Sequence, residues 1–165
     1  MYPFQNLILF ITILFSGLVA GLLFSYSCSV NIGLKVLPDQ EYLRAMQSIN
    51  IAIQNPYFLI VFMGLLLLFP LTTWNIHSSN STTSFYFFLI ATSFYYIGVL
   101  GVTALGNIPL NNQLSRLDIK SASSDKISAM RFTFETAWNK FHLIRTISSI
   151  LSFGSAIVSL IQYKH

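Results

Sequence analysis

The chain has 165 residues, of which 8% are charged and 54% hydrophobic, and its mean hydropathy is +0.65. An average soluble chain carries roughly 25% charged residues, and no Asp, Glu, Lys or Arg occurs here between Arg44 and Arg116. This composition argues against a soluble domain and predicts an integral membrane protein with a single domain over residues 1–165. The net charge of +4 is spread among loops without a basic and aromatic module, so we predict no nucleic-acid partner.

Apolar segments at about residues 6–30, 56–74, 85–105 and 141–163 are long enough to cross a bilayer as helices. The predicted fold is therefore all-α, a bundle of four transmembrane helices with interfacial amphipathic helices in loops one and three. Cys28 is the one cysteine of the chain, which excludes an intrachain disulfide. It lies inside the first span, where a thiol is usually a small packing residue.

Loop one predicts an amphipathic helix that lies at the membrane interface and leads into the second span. Pro38 and Asp39 are typical of a helix start, with Asp39 as the N-cap. Apolar residues and amides then recur at helical spacing on two different faces. The apolar face holds Tyr42, Met46, Ile49 and Ile53, and the amide face holds Gln47, Asn50 and Gln54. The amides either line a site or face lipid headgroups, and both interpretations stay open.

The second span begins at Pro56, which suits a first helical turn. Pro70 near its far end is expected to kink the helix or loosen its last turn, and Trp74 is expected at the membrane interface. The link over residues 75–84 is short, polar and uncharged, and we interpret His77 within it as a solvated loop histidine.

The third span is rich in aromatic residues, and two interpretations stay open for them. They either pack and face lipid or form a wall for a flat aromatic ligand. Beyond this span, Gly106 is predicted to end the helix and Pro109 to force an extended backbone around it.

Loop three contains a small polar break, after which Ser124 or Asp125 can cap a new helix. Ile127 and Phe134 are among its apolar residues at helical spacing, and this helix can continue without interruption into span four. On such a helix one face is shared by Trp138, His142, Arg145, Thr146 and Ser149.

The positively charged residues of the chain are concentrated in loops one and three, whereas the other side of the membrane holds only Lys164. The positive-inside rule therefore predicts that loops one and three are cytoplasmic and that both termini are outside. The basic residues of the two loops are Lys35, Arg44, Arg116, Lys120, Lys126, Arg131 and Lys140.

A histidine and an arginine within a membrane helix are costly without partners, so His142 and Arg145 indicate a functional site. The alternative for Arg145 is that its side chain reaches up to the headgroups. A histidine can serve as a base, and the guanidinium of Arg145 with the amides of Asn107 and Asn111 can stabilise an oxyanion or bind a carbonyl.

No metal and no cofactor is predicted. His77 and His165 fall on the side of the membrane opposite to His142, and no spacing resembles a metal motif. The sequence also lacks a glycine-rich phosphate loop and a CxxC pair.

The Asn107-Ile108-Pro109-Leu110-Asn111 motif after an apolar span, together with Trp138, His142 and Arg145-Thr146 at the start of the last one, resembles a known pattern. It is similar to the small four-helix membrane proteins of the anthrone oxygenase-like family, and the similarity covers almost the whole chain. Met46-Gln47-Ser48-Ile49-Asn50 also resembles that family. The resemblance implies oxidation of anthrones to anthraquinones by molecular oxygen without a conventional cofactor.

The resemblance implies that His142 is the catalytic base. It also implies that Asn107, Asn111 and Arg145 bind the oxyanion. We predict that the substrate is bound by Trp138, Gln47, Asn50 and Thr146.

The sequence leaves two functions open. The first is a cofactor-independent oxygenase that acts on an apolar hydroxylated aromatic, anthrone-like or quinol-like. The second is a non-enzymatic membrane protein that binds a lipid or quinone, or a structural subunit of a membrane assembly. The predicted partners are membrane lipid, an apolar aromatic small molecule, and either further copies of the chain or a partner membrane subunit. An enzyme requires the polar residues to converge on a cavity, whereas an assembly subunit would have them bonded to each other.

Overall fold

A computed structural model of the chain describes residues 3–79 and 81–163. Lys164, used above to predict the membrane topology, and His165, considered above as a metal ligand, lie outside the described residues.

The described elements are all helical. They are α1 (Pro3–Ser25), a π-helical turn π1 (Tyr26–Val30), α2 (Asn31–Lys35), α3 (Asp39–Ala52), α4 (Pro56–His77), α5 (Thr82–Ser93), π2 (Phe94–Gly101), π3 (Thr103–Asn107), α6 (Ile108–Ser115) and α7 (Ser124–Tyr163). Continuous helical stretches long and apolar enough to cross a membrane are Phe4–Lys35, Pro56–His77, Thr82–Ser115 and Ser124–Tyr163. This confirms an all-helical fold with four candidate membrane spans and indicates a membrane protein.

The long helices pack in a closed arrangement in which α1 contacts α4 and α7, and α5 contacts the same two helices. Aromatic residues from α4, α5 and π2 fill the core between them. The rings of Phe69 and Tyr95 lie 5.0 Å apart, and those of Phe69 and Phe88 lie 5.8 Å apart. Tyr86, in contrast, is 58% exposed on the outer surface. The aromatic residues of the third span therefore pack and face outward, and these contacts favour that interpretation over a ligand wall.

Hydroxyl groups join the long helices inside this core. Thr12 Oγ1 lies 2.8 Å from Thr72 Oγ1, Ser84 Oγ lies 2.8 Å from Ser159 Oγ, and Ser152 donates to the Ala91 carbonyl at 2.8 Å. Lipid tails are as apolar as a leucine side chain, so helices in a membrane associate through close packing and such hydrogen bonds, each worth about 0.6 kcal/mol.

A second, smaller core lies at one end of the long helices. It contains Tyr42, Leu43, Met46, Leu114, Leu117, Ile119, Ile127, Phe134 and Trp138. Gln47 Nε2 binds α3 to this core by donating to the carbonyls of Leu114 at 2.9 Å and Leu117 at 3.1 Å. We call the unit formed by α3, α6 and residues 116–138 the cap. Loops one and three therefore meet as one packed structure.

The N-cap predicted at Asp39 is wrong. Pro38 stands at the cap position, and its carbonyl accepts from the Tyr42 amide at 2.9 Å. Asp39 is already helical, and its Oδ2 accepts from the Ser128 hydroxyl of α7 at 2.7 Å. The carboxylate is turned to α7 because the cap packs that helix against the first turn of α3.

The predicted helix end at Gly106 and the extended backbone at Pro109 are also wrong. The helix continues through Gly106 into α6, and Pro109 lies in the first turn of α6, where its missing amide hydrogen is tolerated. A Cβ at Gly106 would lie 2.7 Å from the Phe141 ring. Gly106 therefore permits the close approach of α7 and does not terminate a helix.

Two smaller expectations concern α4. The helix continues through Pro70 without interruption, and His77 forms its last residue instead of a loop residue. The His77 side chain is exposed as expected, and its ring contacts Phe85 at 4.8 Å. The last helix has no break between loop three and the fourth span, which confirms the predicted continuous α7.

Replacing Gly98 with alanine is expected to destabilise the protein by about 1–3 kcal/mol, the usual cost of overpacking a core. The added Cβ would overlap Oγ and Cβ of Ser148, and a Cβ cannot move without the backbone. Gly154→Ala is the matched control, because nothing lies within 4 Å of its Cβ position. Thermal unfolding in a mild detergent measures both, and equal Tm values for the two variants would contradict the prediction.

Candidate functional site

His142 lies at the centre of a buried polar cluster on α7 and is 2% exposed. Its Nε2 lies 2.9 Å from Ser27 Oγ, and its Nδ1 lies 3.2 Å from Arg145 Nη2. A guanidinium can only donate hydrogen bonds, so Nδ1 must accept. The imidazole is therefore neutral in this arrangement, with its proton on Nε2 and directed to Ser27.

Thr146 completes the hydrogen bonding around Ser27. Its Oγ1 donates to the His142 carbonyl at 2.9 Å and lies 3.1 Å from Ser27 Oγ. This contact joins α7 to π1. It also fixes the position of the Ser27 hydroxyl, which accepts the hydrogen bond from His142 Nε2.

Two aromatic rings enclose the imidazole. Trp138 stacks on it at 5.0 Å with an interplanar angle of 16°, and Tyr26 approaches edge-on at 5.0 Å. The Tyr26 hydroxyl points away into the cap, where it donates to Met46 Sδ at 3.2 Å. The two rings therefore surround the imidazole with apolar groups, and its polar contacts are made by its two nitrogens.

Arg145 turns inward from α7. Its Nη1 donates to Thr103 Oγ1 at 3.3 Å and its guanidinium carbon lies 5.5 Å from the centre of the Trp138 ring. Its Nε is buried and has no hydrogen-bond partner among the described residues. These contacts favour a site residue over a side chain that reaches up to headgroups, and they leave one donor unused.

The two asparagines of the Asn-Ile-Pro-Leu-Asn motif contact α7 at Trp138. Asn107 is 1% exposed and donates from Nδ2 to the Trp138 carbonyl at 3.3 Å. Its Oδ1 is buried without a partner in the described part of the chain. Asn111 Oδ1 accepts from the Trp138 indole nitrogen at 2.9 Å, which fixes the ring that stacks on His142.

Gln47 and Asn50 lie elsewhere. They line a cleft of about 640 Å³ in the cap, between α3 and α6, and that cleft also includes Asn111 but neither His142 nor Arg145. The structure therefore brings six of the eight predicted site residues together and places two at a neighbouring cleft. The six that share contacts are His142, Arg145, Asn107, Asn111, Trp138 and Thr146.

Sequence reasoning missed Tyr26, Ser27 and Thr103, which come from two π-helical turns. π1 carries Tyr26 and Ser27, and π3 carries Thr103 as well as Asn107. Single π-helical turns within α-helices are frequent at functional sites. The polar run at residues 25–27 inside an apolar span was the available signal, but it does not show which helix these residues face.

The comparisons with known proteins give one decisive finding. A family model described as anthrone oxygenase matches residues 45–155, which is more than half of the chain. The chain belongs to the anthrone oxygenase family. No curated protein and no solved structure matches it.

The part matched by the anthrone oxygenase family contains Asn107, Asn111, Trp138, His142 and Arg145, whereas Tyr26 and Ser27 precede it. No group of three or more metal-binding side chains occurs in the part of this family member that the structure describes. The cluster contains three groups that could take part in chemistry away from water. They are the neutral imidazole of His142, the guanidinium of Arg145 with its unpaired Nε, and the unpaired amide oxygen of Asn107.

Proposed function

We propose that the protein is an integral membrane oxygenase that acts on a flat, apolar, hydroxylated aromatic compound, anthrone-like or quinol-like, without a bound cofactor. Family membership suggests an oxygenase role. The observation that carries the proposal is the buried neutral imidazole of His142, whose basic nitrogen faces a guanidinium that is itself incompletely bonded. A base beside an oxyanion-binding cation is the pair required to abstract a proton whose electron pair is delocalised onto a carbonyl oxygen.

For an anthrone, the reaction balances with oxygen as the only oxidant. A base removes one proton from the ring CH2, and the electron pair is delocalised onto the carbonyl oxygen. The carbanion carbon then forms a bond to one atom of O2, and protonation gives a hydroperoxide. Loss of the second ring hydrogen as a proton breaks the O–O bond, forms the new carbonyl and releases water. The substrate supplies both electron pairs, so no external reductant is needed.

In this mechanism Arg145 exchanges its bond to His142 Nδ1 for one to the developing oxyanion, which frees the imidazole lone pair to act as the base. The two bonds that hold the guanidinium are long, at 3.2 and 3.3 Å, and its Nε is unused. These features support such an exchange.

The remaining residues bind and orient. Asn107 Oδ1 is an unused acceptor and suits a phenolic hydroxyl of the substrate. Trp138, held by Asn111, offers a flat face for stacking, and Thr146 positions Ser27. Gln47 and Asn50 lie at the cap cleft instead of beside His142, and their contribution to substrate binding stays a prediction.

A second candidate function is favoured by one observation. His142, Arg145 and Asn107 bond to one another or to neighbouring helices, and none of them lines the cap cleft. This is the pattern expected of a non-enzymatic protein, either a structural subunit of a membrane assembly or a binder of lipid or quinone. In that case the cluster serves to hold π1, π3 and α7 together.

We also propose that the cap is cytoplasmic and that both termini are outside. The described basic residues are concentrated in and next to the cap, which is the distribution that the positive-inside rule associates with the cytoplasmic side. This proposal is tested in a variant with Cys28 replaced by alanine and Lys120 by cysteine. Labelling of that cysteine in intact cells shows on which side of the membrane the cap lies.

Oxygen uptake by the purified full-length protein with a simple anthrone tests the proposed reaction. We expect uptake well above the spontaneous rate in the same detergent, with one O2 consumed for each anthrone. With ¹⁸O2, one labelled atom should enter the anthraquinone and the other should be recovered in water. Uptake no faster than the spontaneous rate, with both anthrone and a quinol as substrates, would instead support the non-enzymatic candidate.

A further inference from the structure

The cap cleft, defined above by its volume of about 640 Å³, is lined mainly by polar side chains, and most of them have no role in the proposed reaction. Its lining residues are Arg44, Gln47, Asn50, Ile51, Gln54, Asn111, Asn112, Ser115, Leu117, Asp118, Ile119 and Lys120. A cleft lined by this many amides and charged groups suits a polar ligand.

Two cations of this cleft form no salt bridge within the part of the chain that the structure describes. Arg44 and Lys120 are both exposed, and the one ion pair among the described residues joins Arg131 to Glu135 elsewhere in the cap. Side chains of this kind bind phosphate or carboxylate oxygens when these are available.

A buried donor in the same cleft also lacks an acceptor. Asn50 Nδ2 has almost no contact with solvent and no hydrogen-bond partner within the described residues. Leaving such a donor unsatisfied costs about 1–3 kcal/mol. A turn of the Asn50 side chain toward the cleft would bring this donor to a ligand oxygen and remove the penalty.

Asp118 is the one carboxylate of the cleft, and its own turn already uses both of its oxygens. Oδ1 accepts from the Lys120 amide at 3.0 Å and Oδ2 accepts from the Ser121 hydroxyl at 2.8 Å. The hydrogen bond from Ser121 lowers the pKa of Asp118, so the carboxylate is charged at neutral pH. Arg44 and Lys120 also line the cleft, so it carries one net positive charge.

The position of the cleft indicates where its ligand comes from. Ile51, which is 73% exposed, stands on its rim near the end of α3, and α4 enters the candidate membrane span only a few residues later. Polar groups of the cleft and an apolar rim thus meet where a bilayer has its headgroups and first acyl carbons.

We propose that the cap cleft binds the phosphate of an anionic lipid, with Arg44 and Lys120 on the phosphate oxygens, Asn50 Nδ2 donating to one of them, and the acyl chains beside Ile51. The lipid pins α3 to α6 and to the loop at residues 116–123 from the membrane side. This site is independent of the oxygenation proposed at His142.

Native mass spectrometry of the full-length protein in a neutral detergent tests the site. Phosphatidylglycerol is compared with phosphatidylcholine of the same acyl chains, and inorganic phosphate is added as a competitor. We expect phosphatidylglycerol to be retained preferentially. Each cation near a membrane contributes about fivefold to binding, so R44Q combined with K120Q should weaken it about thirtyfold.

The matched control combines K35Q with K140Q, which removes the same charge from exposed positions outside the cleft. It should change the affinity less than about twofold. N50L removes the unsatisfied donor without a change of charge and should weaken phosphatidylglycerol about tenfold. The Tm of each variant without added lipid shows that it is folded.

Three results would overturn the proposal. Equal retention of the two lipids would show that the net negative charge of the headgroup is not recognised. An equal loss in the control variant would show a general surface attraction. Displacement of the lipid by millimolar inorganic phosphate would identify a site for free phosphate and reject a lipid as its source.

Discussion

Replacing His142 with glutamine is expected to lower the rate of enzyme-dependent anthrone oxidation by at least about a hundredfold, the usual contribution of a positioned general base. The Tm should change by only a few degrees. A glutamine amide can accept from Arg145 through its oxygen and donate to Ser27 through its nitrogen, which reproduces both bonds that the imidazole makes. It cannot take up a proton, so the substitution separates the base from the structural role.

His142→Leu is the matched variant in which both roles are lost. It leaves the inward-facing Arg145 without its Nδ1 acceptor, and we expect a clear fall in Tm in addition to the loss of turnover. Oxygen-electrode rates and thermal unfolding in the same detergent measure both effects. If the glutamine variant turns over like the wild type, His142 is not the base. If no variant and no wild-type preparation turns over, the cluster is structural.

Replacing Arg131 with methionine is expected to destabilise the cap by about 3 kcal/mol, the cost of breaking a buried ion pair by removal of one partner. Arg131 is 7% exposed, and its Nε donates to Glu135 Oε2 at 2.6 Å. Its terminal nitrogens also donate to the carbonyls of Leu37 at 3.4 Å and Lys35 at 3.3 Å. These bonds tie the chain that follows the first span to α7.

Tyr42 supplies the remaining contact of this arginine. The Arg131 guanidinium carbon lies 3.5 Å from the centre of the Tyr42 ring, within the range of a cation–π interaction. Burial raises the pKa of Tyr42 well above its ordinary value, so the ring beneath the cation stays neutral at every pH of interest. The arrangement is therefore not expected to weaken as the pH rises through the ordinary range for tyrosine.

The Arg131 prediction is measured as the Tm in detergent and as hydrogen exchange of the α3 amides, which should accelerate. Lys140→Met is the control, because Lys140 is an exposed cation of the same helix. Combining R131M with E135L should recover part of the loss, since it removes the carboxylate left unpaired in the half-buried site. A single variant as stable as the control would show that Arg131 does not hold the cap together.

Much of the fold could be predicted from sequence because its determinants are local. A run of about 20 apolar residues specifies a membrane helix by itself, and the helical period places Trp138, His142 and Thr146 on one face of α7 without knowledge of any partner. The continuous α7 and the amphipathic α3 follow from the same periodicity. The cost of a histidine and an arginine in such a helix was enough to mark the region of the candidate site.

The tertiary structure alone decided what these residues contact. Ser27 bonds to His142 across 115 positions of sequence, and no local pattern determines which residues of π1 face α7. The same holds for Gly106, where the helix continues and the glycine leaves room for Phe141 of α7. Local propensity is a small energy that close packing outweighs. Packing also separated the amides of loop one from His142, because Gln47 donates to the carbonyls of Leu114 and Leu117 and therefore faces α6 and the loop after it.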